Sequence, residues 1–280
     1  MKMRRRRVAA LFVVIATCLS VVACSSLSSR VESAQKVATA AGFQPFVLGT
    51  SYFRLAGFSR IRQLGRPVTI YIEGDGRAWL SGRPSSNPTP ADPLVLRLAA
   101  LDRGDNVVYL SRPCQYVDLS AELYCGIPYW TRKRFAEEVI TSVNEAVGAI
   151  AQNSKSTEIH LVGYSGGAAL ATLVAARRQD VGSLRTLAGY LDHVSLNRVR
   201  NVDQLLGSLD PIEIAPRLKS VPQIHYSGRG DKVIPSWVIR NFIQAVGSVR
   251  CTSIRIVDAT HREGWEGIWS KLESVMPSCR

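Results

Sequence analysis

Short apolar runs recur along the chain, spaced by longer segments whose apolar residues fall on one face. The runs are 68–72 in "PVTIYIEGDG", "NVVYL" at 106–110, "STEIHLVGY", "SLRTLAGYL", "VPQIHYSGRGD" and "TSIRIVDATH". Their β-branched content and bounding glycines predict buried strands. Between them, "RKRFAEEVITSVNEAVGAIAQ" places Phe135, Val139, Ser142/Val143, Ala146 and Ile150 on one helical face. Helices are also predicted over Pro93 to Asp102, with Asp92 as cap, and over "SGGAALATLVAARR", "PSWVIRNFIQAV" and "GWEGIWSKLESVM". Near-continuous apolar strands alternating with helices predict an α/β fold: a mostly parallel central sheet with helices on both faces. "QPFVLGTSYFRLAGF" turns around Gly49-Thr50 and predicts an antiparallel N-terminal hairpin. Residues 111–130 read as an irregular loop. Residues 190–220 show no strong period and read as a small cap over the carboxyl edge of the sheet, where α/β ligands bind.

The 280 residues, 46% hydrophobic, suffice for one sizeable core, and no internal repeat is evident. The domain is expected over 42–280. Before it, "MKMRRRR" is a basic leader and "VAALFVVIATCLSVVA" an apolar run too short to span a bilayer comfortably. The run ends "SVVAC" and continues "SSLSSR". This resembles the bacterial lipoprotein signal, with Ala23 before the cysteine and Val21 at the third position back. The resemblance implies a signal peptide over 1–23 and a lipidated Cys24 as the mature N-terminus; the polar, small residues that follow predict a tether over 24–41 that leads into a short helical stretch. Ser25, rather than aspartate, favours an outer-membrane, periplasm-facing location.

The formal charge is +13. Loss of Lys2 and Arg4 to Arg7 with the leader leaves 30 basic against 22 acidic residues, or +8. Such a surplus suits anionic membrane lipid or cell-wall polymer, or a solvated surface. No Lys/Arg cluster is interleaved with aromatics in the mature chain, so nucleic acid is not expected. Four cysteines follow Cys24. An even number in an exported chain predicts two disulfides. Locality favours Cys114–Cys125 and Cys251–Cys279 among the three pairings. Without a C-x-x-C pair, and with four scattered histidines, no metal is expected.

The sharpest chemistry lies at "GYSGG", which fits G-x-S-x-G between a strand and a helix. A nucleophilic Ser165 there must turn sharply at a φ/ψ few residues accept. Gly163 and Gly167 make room, while the Gly166 N–H and the helix N-terminus face a developing oxyanion. The serine needs a base and the base an orienting acid. Asp231 follows a strand in "GRGDKVIP", and His261 follows the last strand in "DATH". His193, with Asp192 beside it, is the rival pair. His160 and His225 sit inside strands and read as packing residues. Asp258 reads as ordering the His261 loop. All five tryptophans read as packing residues, with substrate contact as the alternative for Trp79 and Trp265, which lie near the site loops.

From about residue 68 to 275 the chain resembles the α/β-hydrolase superfamily, on "YIEGDG", "GYSGG", "GRGDKVIP" and "DATH". The resemblance implies the order Ser165, Asp231, His261, a covalent acyl-enzyme and no cofactor. It also implies a second oxyanion donor after the strand ending at Ile72. There Gly74 allows close approach and the Asp75 N–H donates, with Gly76 as the alternative. Glu73 stands where such hydrolases commonly carry histidine. The expected protein is a monomeric, envelope-anchored serine hydrolase acting on a small-molecule or lipid acyl substrate, with carboxylic ester hydrolysis as the default. A peptidase or amidase of the same fold, or a non-catalytic envelope lipoprotein, is the alternative.

Overall fold

The computed structural model describes residues 26–247 and 250–279. The leader and Cys24 lie outside the described residues. The strands are β1 (Gln44–Gly49), β2 (Arg54–Ile61), β3 (Val68–Ile72), β4 (Trp79–Leu80), β5 (Arg83–Pro84), β6 (Asn106–Leu110), β7 (Ile159–Tyr164), β8 (Val181–Leu187), β9 (Gln223–Gly228) and β10 (Thr252–Val257). The helices are α1 (Leu27–Ala40), α2 (Leu94–Leu101), α3 (Glu137–Ser154), α4 (Gly166–Ala175), α5 (His193–Val199), α6 (Pro211–Ile214), α7 (Ser236–Val246) and α8 (Trp265–Leu272).

Eight strands form one sheet in the order β1-β2-β6-β3-β7-β8-β9-β10, and β4 and β5 form a small separate hairpin. From β6 to β10 every neighbour is parallel. β2 is antiparallel to both β1 and β6, so the predicted hairpin opens the sheet. β3 and β6 are buried at every position, as strands covered on both faces must be. Ile70, Ile72, Val108, Leu110 and Leu161 face one core layer with α3, α4 and α7. Tyr71, Val107, Tyr109 and Val162 face the other, with α1, α2 and α8. The period-2 alternation of side chains thus divides each strand between two cores.

Three expectations change. The stretch expected as a tether is largely helix: Ser26 caps α1 by accepting from the Ser29 N–H at 3.2 Å. Arg30, Ala34 and Ala38 are buried at helical spacing. The expected short helical stretch is thus 14 residues long, an extent that alanine's weak hydrophobic period does not show in sequence. Asp92 does not cap α2; Pro93 holds that position without a side-chain bond, and the Asp92 carboxylate binds Arg97 instead. The long helix starts at Glu137, not Arg132. Residues 132–136 are bent, and Arg134 Nε donates back to the Thr131 carbonyl at 2.6 Å.

The two disulfides are Cys114–Cys125 and Cys251–Cys279, the pairing favoured by locality. They close separations of 11 and 28 residues. Loop-closure entropy assigns them about 3 and about 3.5 kcal/mol respectively. Alkylation of the folded, oxidised protein should therefore modify these four cysteines only after reduction. Cys251→Ala with Cys279→Ala should lower the unfolding free energy by about 3.5 kcal/mol in a denaturant titration.

Candidate functional site

β7 runs into α4 with one residue between them. That residue, Ser165, sits at φ 52°, ψ −119°, a conformation costing of order 1–3 kcal/mol in an L-residue. Backbone bonds hold it there. Its N–H donates to the Leu187 carbonyl at 2.9 Å, and its carbonyl accepts from Ala168 at 3.1 Å and Tyr190 at 3.2 Å. A Cβ on Gly163 would stand 2.5 Å from Ala168 Cα, and one on Gly167 would collide with the Ile72 and Glu73 carbonyls. Both glycines therefore make the room the sequence implied. Gly166 has an additional reason to be glycine: a Cβ there would strike the Asp75 carboxylate and the Arg112 guanidinium.

The two downstream residues converge on this serine. Ser165 Oγ lies 3.1 Å from His261 Nε2, and His261 Nδ1 lies 2.9 Å from Asp231 Oδ2. The Asp231 side chain is fully buried, and its Oδ1 accepts the Val233 and Ile234 N–H groups at 2.8 Å each. With acceptor oxygen beside Nδ1, the proton belongs on Nδ1, leaving Nε2 to accept from Oγ. The loop carrying His261 is anchored too. Its carbonyl accepts from Tyr164 Oη at 2.7 Å and from Trp265 Nε1 at 3.0 Å. The Tyr164 ring lies 5.4 Å from the imidazole, centroid to centroid. Trp265 is thus a buried support for this loop and not a substrate platform; Tyr164 was not singled out from sequence.

The rival residues do other work. His193 is buried, stacks on Phe135 and has Nε2 3.1 Å from the Leu209 carbonyl. Asp192 caps α5 through the Ser195 N–H and accepts from Asn241. His160 pairs with Ser183, and His225 with Thr186. Burial lowers the His225 pKa to about 3, so it stays neutral.

The loop after β3 lies against the head of α4. Glu73 is buried; its Oε1 accepts the Gly74 N–H at 2.9 Å and its Oε2 the Tyr109 hydroxyl at 3.0 Å. Burial dominates and pushes its pKa up to about 7. Asp75 has the opposite fate. Burial pushes its carboxyl up, but Arg134 and Arg112 together outweigh that and hold it below the usual range. Arg134 Nη1 reaches Asp75 Oδ2 at 2.6 Å, Arg112 binds Oδ1, and Arg112 Nη2 also donates to the Arg134 carbonyl at 2.7 Å. Gln115 Nε2 holds the Gly74 carbonyl at 3.1 Å. Gly76, at φ 60°, leaves no room for a side chain beside Gln115 and Pro88. The cross-linked 111–130 loop thereby fixes the loop that carries Asp75. Nothing local in the sequence marks Arg112 and Arg134, which stand 37 and 59 residues from Asp75.

Ser165 lies at the floor of a cleft of about 690 Å³, walled by Asp75, Arg134 and Tyr190 and, from the 190–220 segment, by Leu196 and Leu205. A second hollow of about 570 Å³ opens on the His261 side and includes Gly74 and Trp79. The unpatterned 190–220 segment therefore forms one wall of the cleft, with α5 and α6 as its helices.

Glu73 carries a stability prediction. Its proton is bound more tightly in the folded state than in the unfolded chain, so stability falls as pH rises from about 4.5 through about 7, by about 3 kcal/mol in total. Thermal melts of Glu73→Gln across this window should lack that decline. An identical decline in the variant would assign it to other groups. Asp75→Ala leaves two buried guanidiniums facing one another and should cost about 3 kcal/mol in a urea titration. An unchanged midpoint would show the clasp to be idle.

Neither a family model nor a curated protein sequence matches the chain. Solved structures do. The esterase Est1E from Butyrivibrio proteoclasticus aligns at TM-score 0.56 and 14% identity, covering 82% of this chain and 95% of its own. An alpha-beta serine hydrolase homologue from Coxiella burnetii aligns at TM-score 0.55 and 17% identity, covering 83% and 94%. The 2,6-dihydroxy-pseudo-oxynicotine hydrolase aligns at TM-score 0.61 and 15% identity, covering 91% and 76%. At such identities the likeness speaks to the fold alone: this chain has the α/β-hydrolase fold.

Proposed function

We propose that the protein is a serine hydrolase that cleaves carboxylic esters through an acyl-enzyme, and that it works in a bacterial cell envelope, anchored by a lipidated Cys24. One observation carries the catalytic part: Ser165 Oγ, His261 and Asp231 form a continuous hydrogen-bonded line at 3.1 and 2.9 Å, ending on a strained serine at the floor of a cleft.

In this reading Ser165 Oγ attacks the ester carbonyl while His261 Nε2 takes its proton. Asp231, held by two backbone amides, keeps the imidazole in its tautomer and stabilises the imidazolium. The N–H groups of Gly166 and Asp75 receive the oxyanion, with Gly74 leaving the approach open. Each such donor contributes on the order of 3 kcal/mol. The imidazolium then protonates the leaving alcohol, and water repeats the sequence to release the acid. The Arg112–Asp75–Arg134 clasp keeps the Asp75 main chain from moving as charge develops, which preorganisation requires. Among the structural neighbours is a membrane phospholipase A, at TM-score 0.57 and 15% identity. It suits an acyl ester held in a membrane, but at that identity it adds only compatibility.

A fluorophosphonate probe should label the wild type and not Ser165→Ala. Hydrolysis of p-nitrophenyl butyrate should fall by about 10⁴-fold or more in Ser165→Ala and His261→Ala. Equal labelling of wild type and Ser165→Ala would refute the reading. Matched p-nitrophenyl esters and anilides separate esterase from amidase. Cys24→Ala should abolish lipidation, read as the mass of the N-terminal fragment.

A further inference from the structure

Three separate segments bring large apolar side chains to the mouth of the cleft. Trp79 and Leu80 come from the β4–β5 hairpin, Val202 and Leu206 from the 190–220 segment, and Val233 from the loop before α7. All are exposed, Leu206 at 67% and Trp79 at 49%. Single exposed apolar residues need no explanation, but five around one opening do. Between them stand the exposed cations Arg132, Arg200 and Arg262. Of the acids lining the same hollows, Glu73 is buried and bonded to the Tyr109 hydroxyl, Asp75 is clasped by two arginines and Asp92 is bound by Arg97, which leaves Asp203 at the rim. Apolar tips interspersed with arginines match the boundary between lipid headgroups and acyl chains.

The direction of α1 adds an independent observation. Near its start, Arg30 Nη1 donates to the Thr89 carbonyl at 2.5 Å and the Asn87 carbonyl at 3.4 Å. Pro88, between these two residues, accepts from the Arg77 N–H at 2.9 Å, and Pro90 and Asp92 line the hollow that holds Ser165 and His261. At its far end, the Ala41 carbonyl accepts from Arg60, whose guanidinium also binds the Asp102 carbonyl, in the segment entering β6 at its amino end. So α1 starts on the catalytic edge of the sheet and ends on the opposite edge. Its cap, Ser26, follows Cys24 by two residues.

We infer that the catalytic face docks on an anionic lipid bilayer, with the cleft mouth against the headgroups, and that the ester cleaved is a lipid drawn from that surface. The substrate clause rests on the serine hydrolase reading; the docking clause does not. A protein seated on the same ring closes the cleft over Ser165, whereas a bilayer supplies it. An N-terminal anchor on this edge holds the mouth toward its own membrane with no long linker.

The test uses the chain from Ser26 onward, which contains every element described above and carries no lipid. Ser165→Ala in this background is sedimented with vesicles of phosphatidylcholine, with and without phosphatidylglycerol. It should bind the anionic vesicles, and salt should weaken the binding. Val202→Asp with Leu206→Asp, both exposed positions of the ring, should lower the bound fraction about tenfold with an unchanged melting temperature. Failure to sediment with anionic vesicles, equal binding to neutral ones, or binding unaltered by the double substitution would each overturn the docking. The same chain with Ser165 intact is assayed in parallel: if it hydrolyses soluble p-nitrophenyl butyrate without binding vesicles, the docking falls alone. If it binds vesicles but hydrolyses no ester, the hydrolase reading and its substrate clause fall and the docking stands.

Discussion

The backbone at Ser165 is held at φ 52°, ψ −119°, and relaxation to an ordinary helical or extended value would carry the hydroxyl away from His261. A strain of this kind persists only where the surroundings over-determine it. Here they do so from three sides. β8 supplies the Leu187 carbonyl for the Ser165 N–H, and the Tyr190 N–H from the segment after it binds the Ser165 carbonyl. α4 closes on β7 without side chains at Gly163 and Gly167. The carbonyls ending β3 lie where a Cβ on Gly167 would be. The turn is therefore bound to the β3–β7–β8 order of the sheet. A change in the packing of any of these strands would be felt at the hydroxyl.

Two adjacent carboxylates on the next loop illustrate how burial alone does not decide a charge. Glu73 has one backbone N–H and one phenol for partners, no cation within bonding distance, and a pKa near 7. Asp75, two residues on, meets two guanidiniums and stays ionised. Three charged groups then carry a net single positive charge beside Ser165. That sign favours a transition state in which an oxyanion forms next to them. Glu73 ties its own loop to the β6 tyrosine, joining the loop after β3 to the sheet.

What the sequence revealed divides along a physical line. Strand runs, the hairpin, the elbow and the disulfide pairing depend on residues close in sequence, and they were legible in local pattern. So were Ser165, Asp231 and His261 as a set, because each follows a strand and their order fits one fold. The Arg112 and Arg134 clasp was not legible: it joins an irregular loop and a bent pre-helical segment to a residue far upstream. The full extent of α1 was hidden for another reason. Its buried face is Arg30, Ala34 and Ala38, which carries little hydrophobic contrast. The long helix begins late because Arg134 bonds backward to Thr131 and across to Asp75, an arrangement helical geometry at 132–136 would break.

The antiparallel start of the sheet sets where the N-terminus must be. β2 is antiparallel to β1 and to β6, so β1 runs the same way as β6 and begins at the amino edge of the parallel strands. α1 ends at Ala40, just before β1 starts at Gln44, so α1 must end on that edge. At 14 residues it is about 21 Å long, against about 17 Å for a five-residue strand such as β6. A packed helix of that length crosses the full width of the sheet and can only begin at the carboxyl edge, where the cleft opens. Had the chain entered by a strand opposed to β6, the same helix would have placed its start on the far side. Any segment joined closely to Ser26 thus starts on the side where the cleft opens, by the strand directions themselves. That geometry relates the edge on which the cleft opens to the first elements of the chain.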